Sequence, residues 1–277
     1  MKFSSNKIGL MQGRLSPVIK KRIQSFPSKT WVREFNYLKK ANLRLMEWTL
    51  DYEEIRQNPI FDKKKINLIK YLKKKNQVIV ESLTADFFMQ KPFWKYKKKN
   101  MILKNLFIDV INAVRNIGIK IIVVPLVDNS KIQNIHEMKQ VIIFFKEITS
   151  ILKKNNQIVA FETDLSPKQN LIFIKKFNPK YFGINYDIGN SASKNFKCEE
   201  EIKLYGNYIK NIHIKDRIIF GKTVRLGYGN VNFEKFFRAL KKKKYKGNFV
   251  MQTARSKNNK HFNEVKINLN FLKKWFI

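Results

Sequence analysis

Short apolar segments recur along the whole chain, and a more polar segment of helical length follows each one. Eight of them have the length and composition of buried strands: 7–15, 44–50, 77–84, 120–127, 157–164, 181–188, 208–216 and 248–253. Runs such as IIVV, QIVAF and NFVM are nearly continuous in apolar residues, which is typical of parallel strands buried on both faces. The pattern therefore predicts eight βα units and an α/β fold.

Helices are predicted between the strands, beginning near residues 30 and 199 and covering about 62–75, 101–117, 134–155, 232–244 and 262–275. Ser166 and Pro167 mark the start of another helix, since serine is a favoured N-cap and proline is tolerated at the first helical position. No break in composition divides the 277 residues, a length that is normal for one (β/α)8 TIM barrel. We therefore expect residues 1–277 to form a single barrel domain with a parallel eight-stranded core.

Four successive predicted strands in the second half of the chain end in a residue able to bind a metal ion. These residues are Glu162, Asp187, His213 and Gln252. Because the carboxyl ends of barrel strands meet at one mouth, we expect the four side chains to converge there. Carboxylate, imidazole and amide ligands suit a divalent cation such as Mn²⁺, Mg²⁺, Co²⁺ or Zn²⁺.

Other polar residues near strand ends are candidates for substrate contacts at the same mouth. They are Gln12, Arg14, Glu47, Lys215, Asp216, Arg217, Arg225 and Arg255. The arginines that follow the last two strands lie where many barrels hold a substrate phosphate, and the guanidinium fork suits phosphate or carboxylate. Surface salt bridges explain each of these arginines equally well on its own.

The segments around the four strand ends resemble the xylose isomerase-like TIM-barrel superfamily, in the branch described as sugar phosphate isomerase/epimerase. They are FETD (161–164), NYDIGN (185–190), HIKDR (213–217) and MQTAR (251–255), together with IGLMQGRLSP (8–17), FPSKTWVREF (26–35) and LMEWTLD (45–51). The resemblance implies a metal-dependent isomerase or epimerase that moves a proton through a metal-stabilised enediolate. It also implies a small carbohydrate or sugar phosphate as substrate and is consistent with a homodimer.

The fourth metal position departs from the superfamily pattern. Gln252 occupies the place of a second glutamate, and an amide can bind a metal but cannot accept a proton at useful pH. Glu162 is then the resident base, and Glu81, Glu47, Asp216 and His213 are the candidates for the second proton carrier. Of these we expect Glu81 and His213 to act with Glu162 in catalysis.

The formal charge of +36 comes mainly from lysine, with runs at 63–65, 73–75, 97–99 and 241–244 on the predicted helices and their ends. A solvated lysine coat, weak non-specific binding of polyanions and attraction of anionic sugar phosphates all remain open. No apolar run approaches the roughly 20 residues of a membrane helix, and the N-terminus does not resemble a signal peptide. We expect a cytoplasmic protein with no membrane and no specific nucleic-acid partner.

Three other functions compete with isomerisation or epimerisation. Dehydration of a keto-sugar or inosose could use the same site, and Gln252 and the surface charge also suit a barrel that binds a sugar without catalysis. An AP endonuclease is disfavoured, because those members of the superfamily need several histidines for a multi-zinc cluster. The chain has three histidines, and His213 alone lies at a predicted strand end.

Overall fold

The computed structural model describes residues 2–20, 22–96 and 100–277. Eight parallel strands form a closed barrel: β1 (Ile8–Met11), β2 (Leu45–Thr49), β3 (Ile79–Thr84), β4 (Ile121–Leu126), β5 (Ile158–Thr163), β6 (Phe182–Asp187), β7 (Ile209–Ile214) and, last in the chain, β10 (Asn248–Met251). Each strand pairs with its neighbour in the sequence, and β10 pairs with β1 to close the ring. The predicted (β/α)8 TIM barrel is therefore confirmed. A short antiparallel hairpin, β8 (Asp216–Arg217) and β9 (Thr223–Val224), follows β7.

Helices connect the strands. They are α1 (Trp31–Lys40), α2 (Lys63–Asn76), α3 (Phe87–Gln90), α4 (Asn100–Arg115), α5 (Ile135–Glu147), α6 (Thr149–Asn155), α7 (Pro167–Ile174), α8 (Ile188–Ser193), α9 (Cys198–Tyr205), α10 (Phe233–Lys242) and α11 (His261–Leu272). The predicted start of α7 is confirmed, because Ser166 and Gln169 form a capping box before Pro167. The single helix predicted over 134–155 is wrong, since the chain leaves helical geometry at Ile148 (φ −84°, ψ 3°) and divides into α5 and α6.

Apolar side chains pack between the strands and the surrounding helices. A cluster of phenylalanine rings joins the loop after β3 to α4 and α5, with ring centroids 4.6 Å apart for Phe88 and Phe107 and 4.8 Å apart for Phe93 and Phe144. All four side chains are buried. This packing fixes the segment that follows β3 against the outer helices.

The lysine runs of the sequence lie mostly on the solvent side of the helices. Residues 63–65 on α2 and residues 241 and 242 on α10 are exposed, whereas the run at 97–99 lies outside the described residues. This arrangement fits a solvated lysine coat around the barrel. Within the described ranges, no helix is long and apolar enough to cross a membrane.

The interior of the barrel contains a layer of polar side chains. Glu47 of β2 contacts His213 of β7, although these strands are not neighbours in the sheet, so the contact crosses the inside of the barrel. Asn211 of β7 donates hydrogen bonds to both Glu47 and Asn185. These side chains form the floor beneath the carboxyl ends of the strands, where barrel enzymes carry their active sites.

Candidate active site

Three of the four residues predicted to bind a metal come together at the mouth of the barrel. Glu162 of β5, Asp187 of β6 and His213 of β7 each offer a ligand atom, and these atoms lie within 4.8 Å of one another. All three residues are buried. Neighbouring strands in register produce this arrangement, because Asp187 pairs directly with His213.

The cluster has a defined set of supporting hydrogen bonds. The Glu162 carboxylate accepts a side-chain N–H on each oxygen: Asn185 donates to Oε2 at 2.7 Å, and Asn190 donates to Oε1 at 2.8 Å. The other strand-end carboxylate, Asp187, accepts the backbone N–H of Asn190 through Oδ1 and thereby caps α8. Its buried Oδ2 accepts no N–H or O–H from the other described residues, and its partner is the ammonium group of Lys215 at 2.8 Å. Two buried carboxylates and an imidazole whose ligand atoms lie this close together fit a divalent cation.

The fourth predicted ligand, Gln252, reaches the cluster through Lys215. The ammonium Nζ of Lys215 lies 2.8 Å from Asp187 Oδ2 and donates a hydrogen bond of 2.7 Å to Gln252 Oε1. One cationic group of the protein thus joins two of the proposed ligands. Gln252 follows β10 directly, and its oxygen is the atom available to a metal.

His213 is held between two carboxylates. Its Nε2 lies 2.7 Å from Glu47 Oε1, and its Nδ1 lies 3.1 Å from Glu162 Oε2. Burial opposes the charged imidazole, but the two carboxylates outweigh it and raise the pKa of His213 to about 10. Glu47, which we expected to contact substrate, is instead fully buried beneath His213 and fixes its ring.

A second polar group at the mouth was missed in the sequence. Gln24, in the loop between β1 and α1, donates through Nε2 to Asp86 Oδ2 and accepts a 2.8 Å hydrogen bond from Gln252 Nε2 through Oε1. It therefore bridges the segment after β3 to the residue after β10. No local pattern marks Gln24, because both partners are distant in the chain, whereas Asp86 carries the weak signal of a carboxylate two residues beyond a strand end.

A cavity of about 820 Å³ at the mouth of the barrel is lined by Glu162, Lys215 and Gln252 and by Gln24 and Asp86. Its size is in the range of small-molecule sites. Its charged lining residues are Arg14, Arg22, Glu53, Asp86, Lys91, Asp128, Glu162, Lys215, Arg217 and Lys222. Cationic side chains outnumber anionic ones, which favours an anionic ligand.

The predicted position of Glu81 at the mouth is wrong. Its carboxylate contacts Lys120, which precedes β4, and Asn248, which begins β10, so it lies at the amino-terminal end of the barrel. A bulge accounts for the error: Met46 pairs with Val80 and Glu47 with Ser82, and Glu81 is left between them without a partner in β2.

Four more residues that we expected to contact substrate instead have partners within the protein and do not line the cavity in the part of the chain that the structure describes. Asp216 accepts the backbone N–H groups of Gly227, Gly229 and Val231 and shapes the loop after the hairpin. Arg225 pairs with Glu264 of α11. Arg255 donates to the carbonyl groups of Gly13 and Ser16, and Gln12 accepts the N–H of Thr49.

Three of the predicted substrate contacts do line the cavity, namely Arg14, Lys215 and Arg217. Arg217 donates to the side chain of Asn190, which itself supports Glu162. Arg14 donates to Gln24 Oε1 at 3.2 Å. Both guanidinium groups are therefore held in place by residues that also support the strand-end cluster.

The sequence resembles a curated epimerase over part of its length. The chain is 35% identical over 95 residues to a protein of Haemophilus influenzae provisionally named L-ribulose-5-phosphate 3-epimerase SgbU. The aligned region covers 32% of this chain, and the chain spans only about a third (33%) of that relative.

Solved structures share the fold across nearly the whole chain. The IolI protein, solved with a bound zinc atom, superposes with a TM-score of 0.75 at 17% identity, covering 98% of this chain and 99% of that one. The D-psicose 3-epimerase of Clostridium cellulolyticum H10, solved with D-tagatose, gives a TM-score of 0.74 at 13% identity, covering 97% and 99%. The family model described as "Xylose isomerase-like TIM barrel" matches residues 35–275. With most of its length matched, the chain belongs to the xylose isomerase-like TIM-barrel family.

Proposed function

We propose that the protein is a divalent-metal-dependent isomerase or epimerase of a sugar or sugar phosphate. The observation that carries the proposal is the convergence of Glu162, Asp187 and His213, which are buried and whose ligand atoms lie within 4.8 Å of one another. The relatives whose printed names give an activity on a sugar or sugar phosphate support the same class of substrate.

Glu162, Asp187 and His213 would hold the metal, with Gln252 Oε1 as a fourth donor. His213 would bind it as the neutral imidazole, so His213 would have to lose the proton that the two neighbouring carboxylates otherwise hold on the ring. When bound, a divalent cation supplies positive charge that polarises the carbonyl and hydroxyl oxygens of a sugar and makes the neighbouring C–H more acidic. The IolI protein, which shares the fold and was solved with a bound zinc atom, supports a metal in a barrel of this kind.

Glu162 is the base of the proposed reaction. Its carboxylate is fixed by the amides of Asn185 and Asn190, so it faces the cavity in a defined orientation. It removes a proton from the carbon next to the substrate carbonyl, which leaves an enediolate. Return of a proton to the neighbouring carbon gives isomerisation, and return to the opposite face gives epimerisation.

A phosphorylated substrate is favoured by the charge of the cavity. Arg14, Lys215, Arg217 and Lys222 all line it, and arginine binds phosphate through two parallel N–H groups. The named activity of the Haemophilus influenzae relative is on a phosphorylated pentulose. The same cations explain how a strongly basic protein can use part of its charge in function.

The experiment is an NMR assay in D₂O with L-ribulose 5-phosphate, D-psicose and D-tagatose, each with Mn²⁺, Mg²⁺, Co²⁺ or Zn²⁺. Reactions with the diamagnetic ions Mg²⁺ and Zn²⁺ are followed directly. Reactions with the paramagnetic ions Mn²⁺ and Co²⁺ are quenched with chelator before the spectrum is recorded. We expect deuterium to replace the proton next to the carbonyl and a second sugar to appear, and both signals to be lost in Glu162→Gln.

Other outcomes of this assay separate the competing functions. Formation of an unsaturated product with loss of water would replace the proposal by a dehydratase. Binding of a probe without exchange or product under every metal would instead indicate a non-catalytic sugar-binding barrel.

A further inference from the structure

The proposed reaction needs a second proton carrier, and the residues first considered for that role are engaged elsewhere. Glu81 lies at the other end of the barrel, and Glu47 is buried beneath His213. Asp216 is occupied by three backbone N–H groups. His213 lies between two carboxylates and belongs to the ligand cluster itself.

We propose that Asp86 is the second acid–base residue of this site. It lies two residues beyond the end of β3 and lines the same cavity as Glu162, Lys215 and Gln252. The inference rests on the proposed isomerase or epimerase function and deepens it by assigning the proton that the Gln252 amide cannot carry. Because Asp86 and Glu162 line one cavity, the carboxyl group of Asp86 is positioned to contact a substrate held against Glu162.

The surroundings of Asp86 favour the protonated carboxyl group. Asp86 is only 5% exposed, which favours the neutral carboxyl group, whereas the hydrogen bonds that Thr84 and Gln24 donate to its two oxygens favour the carboxylate. The charged groups that act on it are the carboxylates of Asp51 and Glu162 and the guanidinium of Arg14. Burial, reinforced by the two carboxylates, raises the pKa of Asp86 to about 7, so both protonation states are available near neutral pH.

Gln24 links Asp86 to Gln252, the residue that stands where the family resemblance leads us to expect a second glutamate. It donates to Asp86 and accepts from Gln252, and Gln252 in turn accepts from Lys215. The amide of Gln252 thus serves as donor on one side and acceptor on the other, which a carboxylate cannot do. This arrangement explains why an amide fits at position 252 when the exchangeable proton is carried on Asp86.

In the proposed step Glu162 takes one proton from the substrate and Asp86 gives one back. The carboxylate of Glu162 takes a proton from the carbon next to the carbonyl, and the electron pair of that C–H bond enters the enediolate. The carboxyl O–H of Asp86 then breaks, and its proton forms the new C–H bond. The enzyme is left with Glu162 protonated and Asp86 ionised, and exchange of protons with water restores the starting state.

The test compares wild type, Asp86→Asn, Asp86→Glu and the control Asp109→Asn, a carboxylate on the exposed face of α4. The probe is L-ribulose 5-phosphate with Mn²⁺ in D₂O, with D-psicose and D-tagatose as further probes. In Asp86→Asn we expect product formation to fall by roughly 100-fold or more while loss of the substrate proton persists within about tenfold, because general acid catalysis contributes about 10²–10⁴-fold. Asp86→Glu should recover part of the product rate, and Asp109→Asn should behave as wild type.

Two outcomes overturn the assignment of Asp86 while the proposed function stands. One is product formation by Asp86→Asn within about threefold of wild type. The other is equal loss of exchange and product in a variant that still folds, since Asp86 would then not be confined to the second step. If wild type neither exchanges nor converts any probe, the proposed function fails and takes the assignment with it.

Discussion

The ammonium group of Lys215 lies 2.8 Å from Asp187 Oδ2, within the group of residues that would hold a metal. The side chain of Lys215 is largely buried, so water screens this ion pair poorly. A metal that binds Asp187 through Oδ2 must displace the ammonium or share the carboxylate with it. Lys215 is therefore a built-in competitor for the cation as well as a candidate substrate contact.

Replacing Lys215 by methionine should raise the affinity for a divalent metal. The substitution removes a positive charge at ion-pair distance and keeps a side chain of similar length, and we expect a gain of about tenfold or more from the lost repulsion. Calorimetric titration with Mn²⁺ measures it, with Lys222→Met as a control cation on the same cavity. An unchanged affinity would show that Lys215 does not compete with the metal, and a weaker one would show that it supports metal binding.

Gln252→Glu should impair turnover even though it introduces the second glutamate that the family resemblance leads us to expect at this position. Gln252 donates to Gln24 Oε1, and a carboxylate there would set two acceptors against each other. If Gln24 turned its amide to compensate, it would no longer donate to Asp86. We expect product formation to fall at least about tenfold, the order of a lost hydrogen bond to a charged group, in the same NMR assay. A rate equal to or above that of wild type would contradict the coupling between these positions.

The sequence predicted the barrel and half of the site because both depend on strand ends. Apolar runs locate the strands, and residues that end adjacent parallel strands must meet, which brought Glu162, Asp187 and His213 together. The prediction failed for Glu81, because a bulge in β3 shifts the pairing by one residue and no local signal marks it. Gln24 was unpredictable for a different reason: its position at the mouth depends on partners far along the chain.

Glu81→Gln tests whether Glu81 lies outside the active site. The carboxylate is partly exposed and pairs with an exposed Lys120 at the amino-terminal end of the barrel, away from the cavity. We expect activity within about twofold of wild type and a loss of stability under about 1 kcal/mol, as for other exposed ion pairs. Steady-state assays and urea unfolding measure the two effects. A large loss of activity with normal stability would return Glu81 to the catalytic residues.

Glu34→Ala should destabilise the turn that follows β1. The buried Glu34 carboxylate of α1 accepts the N–H groups of Gly13 and Leu15 and the hydroxyl of Ser16, at 2.8 to 3.1 Å. Gly13 is required there, because its φ is +93° and a Cβ would lie 2.6 Å from the carbonyl oxygen of Ser25. Alanine leaves three buried donors unpaired.

We expect this loss to lower the free energy of unfolding by about 3 kcal/mol, since each buried unpaired donor costs about 1–3 kcal/mol and the turn can relax in part. Urea unfolding measures it. Glu34→Gln is the matched control, because its amide oxygen keeps one acceptor and should lose less. Equal stability of the alanine variant and wild type would show that the turn does not need the carboxylate.

Asp86→Asn should make the protein more stable while it removes the proposed acid. Burial raises the pKa of Asp86 to about 7 from an ordinary value of 3.8, so the native state binds more protons than the unfolded state between these limits. Stability contributed by this group is therefore present below about pH 4 and falls as the pH rises to about 7. Asparagine carries no charge to bury and avoids the loss.

The expected gain grows across that window to at most about 4 kcal/mol above pH 7, which is the difference between pKa values of about 7 and 3.8 converted at 1.36 kcal/mol per pKa unit. Urea unfolding of both proteins at pH 4.5 and pH 8 measures it, and the two curves should lie closer together at the lower pH. Asp109→Asn, on the exposed face of α4, should show no comparable dependence. A gain that is the same at both pH values would mean that the pKa of Asp86 is not raised in the folded protein, and its carboxyl group would then not hold a proton near neutral pH as its proposed role requires.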